Sequence, residues 1–241
     1  MKTFKIAHLY YDLMNLYGEN GNVRYLKNRL EEQDINVQVS FLSIDDKIDF
    51  SSYDLFYIGS GSEENQYLVL QDLLKYKDDI KKALRANKFF LITGNALELF
   101  GRQIRYLDKE PLQMTELFDF VCNNDDMRIV GEQIYKFKEL DDPIIGFENR
   151  ICTMSEYHAP LFEVISGCGY KPNVKNEGIL ENNFYGTYLF GPLLVRNPHF
   201  CDYLIKKIAD VYEFELNEFN KETSAYKAYK EYLKNFYENQ E

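Results

Sequence analysis

The segment with the clearest chemical signature is Thr93-Gly94-Asn95, which follows an apolar run at residues 89–92. The apolar run predicts a buried strand. The three residues after it predict a sharp turn, because Gly and Asn tolerate positive φ. Residues 96–100 then predict the first turns of a helix. A strand, a sharp turn and a helix form a nucleophile elbow, which presents a reactive side chain at its tip. This turn holds neither Cys nor Ser, so a site architecture is predicted without its usual nucleophile.

Composition narrows the class of protein that carries this elbow. The chain has 241 residues, of which 45% are hydrophobic and 28% charged, and its net charge is −11. Nucleic acids and anionic membranes are therefore poor partners. No apolar run approaches the roughly 20 residues that span a bilayer, and residues 1–7 predict a first strand rather than a signal peptide.

The cysteines and histidines predict no metal or cofactor. The 4 cysteines are widely spaced without a Cys-x-x-Cys pair, and the 3 histidines are scattered. Neither pattern is typical of a metal site. Reduced thiols in a cytoplasmic protein are the favoured interpretation.

Apolar and amphipathic segments alternate up to the elbow. Helices are predicted at residues 23–33, with Asn22 as the cap, and at residues 63–87 in one or two pieces. Strands are predicted at residues 4–10, 35–42, 53–58 and 89–92. Strands that alternate with helices indicate a mostly parallel sheet covered on both faces. The predicted fold class is an α/β three-layer sandwich with a central, mostly parallel sheet.

Beyond the elbow the pattern becomes richer in strands. A helix is predicted from Asn197-Pro198 to residue 212, and one or two amphipathic helices at residues 216–241. The further predicted strands are at residues 117–122, 128–135, 144–148 and 184–190. Aromatic and aliphatic residues recur at helical spacing in the last segment and predict packing on the domain or on a partner; they are Tyr226, Tyr229, Tyr232, Leu233, Phe236 and Tyr237. We therefore expect a domain at residues 1–212 and a helical extension at residues 213–241.

Several motifs resemble those of one known family. They are HLYYDLMNLYGENGN at residues 8–22, IGSGSEENQ at 58–66, GFEN at 146–149 and FYGTYLFGPLL at 184–194. Together they resemble class I (triad-type) glutamine amidotransferases, in the cobyric-acid-synthase-like branch that includes the small subunits of lipid II isoglutaminyl synthase. The resemblance spans residues 5–212, and its first and last motifs are specific to the branch, whereas a glycine-rich loop alone is weak evidence.

The resemblance implies a fold and a reaction. The fold is the class I amidotransferase sandwich. The reaction is hydrolysis of the glutamine side-chain amide by a Cys nucleophile and a His base, with backbone N–H groups that hold the oxyanion. The ammonia passes to a synthase, which in this branch is a Mur-ligase-like subunit that activates a cell-wall precursor with ATP.

The chain departs from the family where the catalytic residues belong. The family elbow is Cys-Gly-Gly-aromatic-Gln-Leu-Leu-Gly, and an ungapped match puts Gly94 at the nucleophile position, or Thr93 if one residue is inserted. In the family motif Gly-Thr-Tyr-Leu-His-Gly-Pro, Phe190 stands at the His position and cannot exchange a proton. We expect a degenerate glutaminase site, because loss of either residue costs orders of magnitude in rate.

Part of the substrate apparatus is predicted to remain. Arg128 resembles the arginine that reaches the glutamine carboxylate in relatives, although an ordinary surface ion pair is an equal alternative. Glu98 stands at the Gln position of the elbow motif and could pair with Arg128 or Arg102. The backbone N–H groups near Gly59 and Gly61 could still offer an anion site. The candidate substrate-binding residues are Gly59, Gly61, Asn95, Glu98 and Arg128.

Three functional hypotheses follow from these residues. The first is a non-catalytic subunit of a Mur-ligase-like synthase in cell-wall precursor amidation. The second is an active glutaminase with an unrecognised nucleophile, for which Cys152 is a candidate, although a buried structural thiol is the favoured interpretation. The third is a stand-alone binding module for glutamine or another small amino acid. His8 is expected to be a hydrogen-bonded scaffold residue rather than a base.

Overall fold

The central strands carry apolar side chains on both faces of their sheet because both faces are covered. A computed structural model describes residues 2–236, apart from the side chains of residues 125 and 126. In the strand Phe89–Thr93, Phe90 and Ile92 join one hydrophobic cluster while Phe89 and Leu91 join another. Two cores on opposite faces of one sheet give the three layers that the sequence predicts.

The secondary structure of the described residues is as follows. The strands are β1 (Thr3–Leu9), β2 (Asn36–Leu42), β3 (Leu55–Ile58), β4 (Phe89–Thr93), β5 (Gln103–Tyr106), β6 (Leu112–Gln113), β7 (Val121–Lys136), β8 (Ile144–Met154), β9 (Phe162–Ser166), β10 (Asn176–Glu177), β11 (Ile179–Glu181) and β12 (Phe184–Thr187). The α-helices are α1 (Asn20–Glu31), α2 (Glu63–Leu73), α3 (Lys77–Arg85), α4 (Leu193–Arg196), α5 (Pro198–Tyr212) and α6 (Ser224–Phe236). Short 3₁₀ helices span Leu16–Gly18, Leu74–Tyr76 and Gly94–Phe100.

The first sheet has the order β11-β12-β4-β3-β1-β2. Its pairings are parallel except for the edge strand β11, which runs antiparallel to β12. The prediction of a mostly parallel central sheet is confirmed. Since the strands run in parallel, the carboxyl ends of β1, β3, β4 and β12 meet at one edge, and the loops that follow them build the candidate site.

A second sheet, which the sequence did not predict, contributes one wall of that site. Its order is β10-β9-β7-β5-β6, with β8 paired to β7, and most of its pairings are antiparallel. The predicted separate strands at residues 117–122 and 128–135 are wrong, because β7 is one long strand, Val121–Lys136. A register shift between Asn124 and Ile129 interrupts its pairing with β8. Such an irregularity breaks the alternation on which a strand prediction depends.

Several predicted helix and strand boundaries need correction. Asn22 does not cap α1 but lies inside it, where its side chain reaches Tyr57 and the backbone of Leu194. The elbow helix is a 3₁₀ helix, Gly94–Phe100, and the predicted strand at residues 184–190 ends as β12 at Thr187. The long helix predicted from Glu63 is divided into α2 and α3, as one of the two alternatives held. α2 begins where Ser62 accepts a hydrogen bond from the Asn65 N–H, an ordinary N-cap.

The described part of the C-terminal extension, up to residue 236, contains one helix, which is one of the two predicted alternatives. Residues 214–222 are not helical, and α6 then packs on the domain through Tyr226 and Tyr229, which are buried. Leu233 packs partly buried beside them, whereas Phe236 is exposed and Tyr237 lies outside the described residues. Within residues 2–236, no helix is both long and apolar enough to cross a membrane.

A buried ion pair ties α6 and α1 to α5. The Arg29 Nη2 lies 2.6 Å from Asp202 Oδ1, and these side chains are 1% and 7% exposed. Asp202 Oδ2 also accepts a hydrogen bond from the Tyr226 hydroxyl at 2.7 Å. One carboxylate therefore links three helices.

We expect Asp202→Ala to lower the free energy of unfolding by roughly 3 kcal/mol, because it leaves Arg29 buried without its main partner. Lys27→Ala is the control, since the Lys27–Glu31 pair is 37% and 41% exposed and is worth less than about 1 kcal/mol. Urea unfolding measures both. Equal, small losses in the two variants would show that the Asp202 pair does not hold the helices.

Candidate functional site

The vertex of the elbow is Gly94. Its φ is +62°, a backbone conformation that side chains rarely adopt, and it follows directly after β4. A Cβ at this position would lie 2.5 Å from the Ser60 Cβ and 2.6 Å from the Ser60 Oγ. Ser60, in the loop after β3, therefore fills the space that a nucleophilic side chain at Gly94 would need.

Thr93, the other candidate for the nucleophile position, faces the interior. It is fully buried, and its hydroxyl donates a short hydrogen bond to Glu19 Oε2. The Tyr57 hydroxyl contacts both of these groups: it is 2.9 Å from the Thr93 Oγ1 and 3.0 Å from Glu19 Oε2. Asn22 donates to the Tyr57 oxygen at 2.9 Å. Thr93 is thus a member of a closed polar network.

Glu19 is the centre of that network and was not singled out in the sequence. Its second oxygen accepts the Gly191 N–H at 3.0 Å, so Glu19 joins the ends of β3 and β4 to the loop after β12. Burial raises the pKa of Glu19 from 4.5 to about 7, although the hydrogen bonds from Thr93, Gly191 and Tyr57 act in the opposite direction. Its only sequence signal is a place in the polar motif at residues 8–22.

Phe190 lies beside the same network. It is buried and its ring stacks on Tyr17, with ring centroids 4.2 Å apart and planes at 11°. The next residue is Gly191, which donates to Glu19. Gly94 and Phe190, the positions matched to the family nucleophile and base, are thus each next in sequence to a residue that bonds to Glu19.

The glycine-rich loop does not present a free anion site at Gly61. The Gly61 N–H donates to Asn95 Oδ1 at 2.9 Å, and the Asn95 Nδ2 returns a hydrogen bond to the Gly61 carbonyl at 2.9 Å. The expectation that the Gly61 N–H is available is therefore wrong. Gly59 lies against Met14 and Glu19 and does not line the cavity described next.

A cavity of about 640 Å³ opens beside the elbow. Its walls come from the loops after β1 and β3, from α2, from the elbow and from the second sheet. Of the candidate substrate-binding residues, Gly61, Asn95, Glu98 and Arg128 line it. Gly94, Thr93 and Phe190 are not among its lining residues.

Glu98 lies at the buried end of the cavity. It is 3% exposed and accepts a hydrogen bond from the Gln66 Nε2 at 2.8 Å. Burial raises the pKa of Glu98 to about 7, against the opposing effects of the Gln66 hydrogen bond and the Arg150 charge. The predicted pairing with Arg128 or Arg102 is wrong: Arg128 bonds Asn149, and Arg102 pairs with Asp119.

Arg128 lies at the exposed rim. Its Nε donates to Asn149 Oδ1 at 2.8 Å, and the Asn149 Nδ2 donates to the Tyr17 hydroxyl at 3.0 Å. Because Tyr17 stacks on Phe190, the ring at the family's His position supports the chain of contacts that orients Arg128. Among the side chains that the structure describes, the terminal nitrogens of Arg128 have neither a hydrogen-bond partner nor an ion-pair partner.

Arg150 is a buried charge that directly follows the GFEN motif at residues 146–149. It is 5% exposed, and its Nε donates to Glu148 Oε2 at 2.9 Å. Its other nitrogens donate to the carbonyls of Cys152, Gly169 and Tyr170. Arg150 therefore closes the inner wall of the cavity as a fully bonded structural cation.

The alternative catalytic residues are poorly placed for chemistry. Cys152 lines the cavity but is 3% exposed, and burial and the nearby Glu98 carboxyl raise its pKa, which opposes thiolate formation. The ring of His8 lies 5.1 Å from that of Tyr57, and neither ring nitrogen has a hydrogen-bond partner among the described residues. The expectation of a hydrogen-bonded His8 is wrong. Burial lowers the pKa of His8 to about 4.

The sequence matches a known family over most of its length. Residues 5–198 match the CobB/CobQ-like glutamine amidotransferase domain. The chain belongs to this family. The resemblance inferred from the motifs is thereby confirmed.

Two relatives carry the same name. The chain is 30% identical over 210 residues to the lipid II isoglutaminyl synthase (glutamine-hydrolyzing) subunit GatD of Staphylococcus aureus strain N315, covering 87% of this chain and 86% of the relative. It is 29% identical over 203 residues to the subunit of the same name from Streptococcus pneumoniae strain R6, covering 83% and 78%.

A solved structure shows the same fold. The crystal structure of a glutamine amidotransferase from Thermotoga maritima superposes with a TM-score of 0.53 at 13% identity, and the match covers 89% of each chain. At this identity the likeness concerns the fold alone.

We expect Gly94→Ala to lower the free energy of unfolding by roughly 3 kcal/mol, because left-handed backbone strain and a contact with Ser60 act together. Gly18→Ala is the matched control, since Gly18 has a φ of +75° with no atom within 4 Å of an added Cβ. It should cost about 1 kcal/mol. In chemical denaturation, Ser60→Gly should recover part of the Gly94→Ala loss, and strict additivity of the two changes would contradict the contact.

The raised pKa of Glu19 predicts a pH-dependent stability. The unfolded chain releases this proton near pH 4.5, whereas the folded chain keeps it up to about pH 7. The contribution is therefore fully present below pH 4.5 and is lost as pH rises to 7, by an amount on the order of 3 kcal/mol. We expect Glu19→Gln to remove this part of the pH profile measured by urea unfolding.

The control for that profile is Glu163→Gln, which neutralises an exposed acid of β9. It should keep the wild-type slope between pH 4.5 and 7. If Glu19→Gln also keeps that slope, the buried carboxyl is not the source of the pH dependence.

Proposed function

We propose that this chain is the amidotransferase-like subunit of a synthase that amidates a cell-wall precursor, with a Mur-ligase-like subunit as its partner. The support is the name shared by its relatives, lipid II isoglutaminyl synthase subunit GatD, and the length over which they match. The partner follows from the family resemblance. We place the complex in the cytoplasm, since the cysteines are free thiols, which are typical of reducing compartments.

The proposal includes a second part: this subunit does not hydrolyse glutamine. The observation that carries it is the vertex of the elbow, where Gly94 has no side chain and Ser60 occupies the space beside it. Covalent amide hydrolysis needs a nucleophile at that point, within reach of a base. Thr93 is turned inward to Glu19, and Phe190 offers no proton acceptor.

The oxyanion donors support the same conclusion. Amide hydrolysis passes through a tetrahedral oxyanion that free N–H groups must stabilise, and removal of one donor costs about 10²- to 10³-fold in rate. Here the Gly61 N–H is already bonded to Asn95. The nucleophile and base positions thus hold Gly94 and Phe190, and the Gly61 N–H, a candidate oxyanion donor, is already bonded to Asn95.

The cavity beside the elbow is suited to binding a small molecule even without hydrolysis. It has the volume of a small-molecule site, a guanidinium at the rim in Arg128 and a buried acid in Glu98. We propose that it binds glutamine or a similar small amino acid without cleaving it. Binding in the absence of a synthase would favour a stand-alone module, and ammonia release would favour an active glutaminase.

The deciding experiment measures ammonia release from glutamine by the purified chain, alone and with a Mur-ligase-like synthase from the same organism. The Staphylococcus aureus GatD subunit with its own synthase is the positive control. We expect no release above background from this chain, together with a stable complex in size-exclusion chromatography. Release at an enzymatic rate would refute the proposed loss of hydrolysis, and Cys152→Ser and Thr93→Val would then identify the nucleophile.

A reconstructed site tests the assignment of positions. Gly94→Cys with Phe190→His should remain inactive, because the Cys Cβ would meet Ser60 at 2.5 Å. Addition of Ser60→Gly removes that obstacle, and we expect any gain of ammonia release to appear only in the triple variant. Ammonia release by the double variant, which keeps Ser60, would show that Ser60 does not block the vertex.

A further inference from the structure

The buried charges around the cavity leave one carboxyl group without a cationic partner. Arg150 is already paired with Glu148 at 2.9 Å, and its terminal nitrogens donate to backbone carbonyls. Glu98 receives hydrogen bonds from two neutral groups, the Gln66 amide and the Cys152 thiol, and Arg150 acts on it without forming an ion pair. Glu98 lines the cavity whereas Glu148 does not. The inner end of the cavity is therefore an acceptor site.

The outer end has the opposite character. Arg128 presents the ends of its guanidinium at the exposed rim, with Nε fixed by Asn149. Two exposed acids of the first turn of α2, Glu63 and Glu64, line the same cavity. A cavity lined by a guanidinium and by carboxylates offers partners for both the carboxylate and the α-ammonium of a free amino acid.

We propose that the cavity takes an amino acid whose side chain ends in an ammonium group, with the α-carboxylate on Arg128 and the side-chain ammonium on Glu98. This inference rests on the proposed function, in which the cavity binds an amino acid without hydrolysis. Glu98 is then a specificity-determining residue. An ammonium group donates only, so it needs no N–H donor at the inner end, whereas the side-chain amide of glutamine also carries an oxygen to be satisfied.

The occupied Gly61 N–H adds to this preference. Because the Gly61 N–H already donates to Asn95, the oxygen of a glutamine amide would not receive a hydrogen bond from it. A buried acceptor left unsatisfied costs about 1–3 kcal/mol. Glu98, by contrast, gains a cationic partner from an ammonium group. Its hydrogen bonds in the described structure come from the neutral groups of Gln66 and Cys152, and the nearby Arg150 is already paired with another acid. The other titratable groups that face it carry no positive charge; they are Glu63, Tyr106, Cys122 and Tyr188.

The preference should depend on pH in a defined direction. Below pH 7 Glu98 is mostly protonated, since burial raises its pKa to about 7, whereas a lysine ammonium stays charged to about pH 10. Binding of the cation then requires release of the Glu98 proton. Affinity for a basic amino acid should therefore rise several-fold from pH 6 to pH 8, and affinity for an uncharged analogue should not.

The test is calorimetry on the full chain with L-lysine, L-ornithine, L-glutamine and L-norleucine, the last of which matches lysine without its ammonium group. We expect lysine or ornithine to bind at least tenfold more tightly than norleucine and glutamine. Glu98→Gln should reduce that ratio at least fivefold and leave norleucine affinity within about twofold. Glu163→Gln, the same change at an exposed site outside the cavity, should leave the ratio unchanged.

Each contrary result overturns the assignment. Equal affinity for norleucine and lysine, tighter binding of glutamine, an unchanged ratio in Glu98→Gln or no binding of any of these amino acids would each refute it. A thermal melt of Glu98→Gln establishes that the variant is folded, and the pH series on the wild-type chain gives a second readout without mutation. Ammonia release is measured separately, so failure of the non-hydrolytic proposal and failure of the ligand assignment give different signals.

Discussion

The site depends on one buried carboxyl group that joins three strand ends. Glu19 receives hydrogen bonds from Tyr57 at the end of β3, from Thr93 at the end of β4 and from the Gly191 backbone after β12. Parallel strands bring their carboxyl ends to one edge, but they do not fix the loops that follow. A fully buried acid with several donors fixes those loops together, since each donor would lose a hydrogen bond if its loop moved away. The elbow, the glycine-rich loop and the segment at Phe190 are positioned around it.

Around Glu19, the positions that the motif match assigns to the family's nucleophile and base are enclosed by packed and hydrogen-bonded groups. Ser60 fills the space beside the Gly94 vertex, and the Asn95 side chain bonds both the backbone N–H and the carbonyl of Gly61. Phe190 stacks on Tyr17, which holds the Asn149 side chain that orients Arg128. These contacts satisfy one another. A side chain added at Gly94 would therefore meet a packed site rather than an empty one.

The sequence predicted the parallel half of the fold well because apolar periodicity and turn residues act locally there. The strand Phe89–Thr93 and the helix Pro198–Tyr212 carry their own signals. The second sheet was missed because β7 is a long strand whose pairing is set by tertiary contacts and interrupted by a register shift. The motifs located the elbow and Phe190, but the partners of Glu98 and the role of Glu19 were missed. Both depend on which distant segments meet, and a single sequence does not encode that in a local pattern.

The buried acid of the cavity is the feature that packing does not explain. A carboxyl group that is 3% exposed and has a raised pKa costs stability, and the isosteric glutamine of the family motif would keep the contact with Gln66 at lower cost. Locally unfavourable residues concentrate where a protein binds or reacts. A charge at Glu98 is accounted for if a ligand supplies the missing cation, and the rim residue Arg128 supplies the complementary contact for its carboxylate. In that proposal, the amidotransferase scaffold binds an amino acid other than glutamine, and Glu98 on the elbow determines which one.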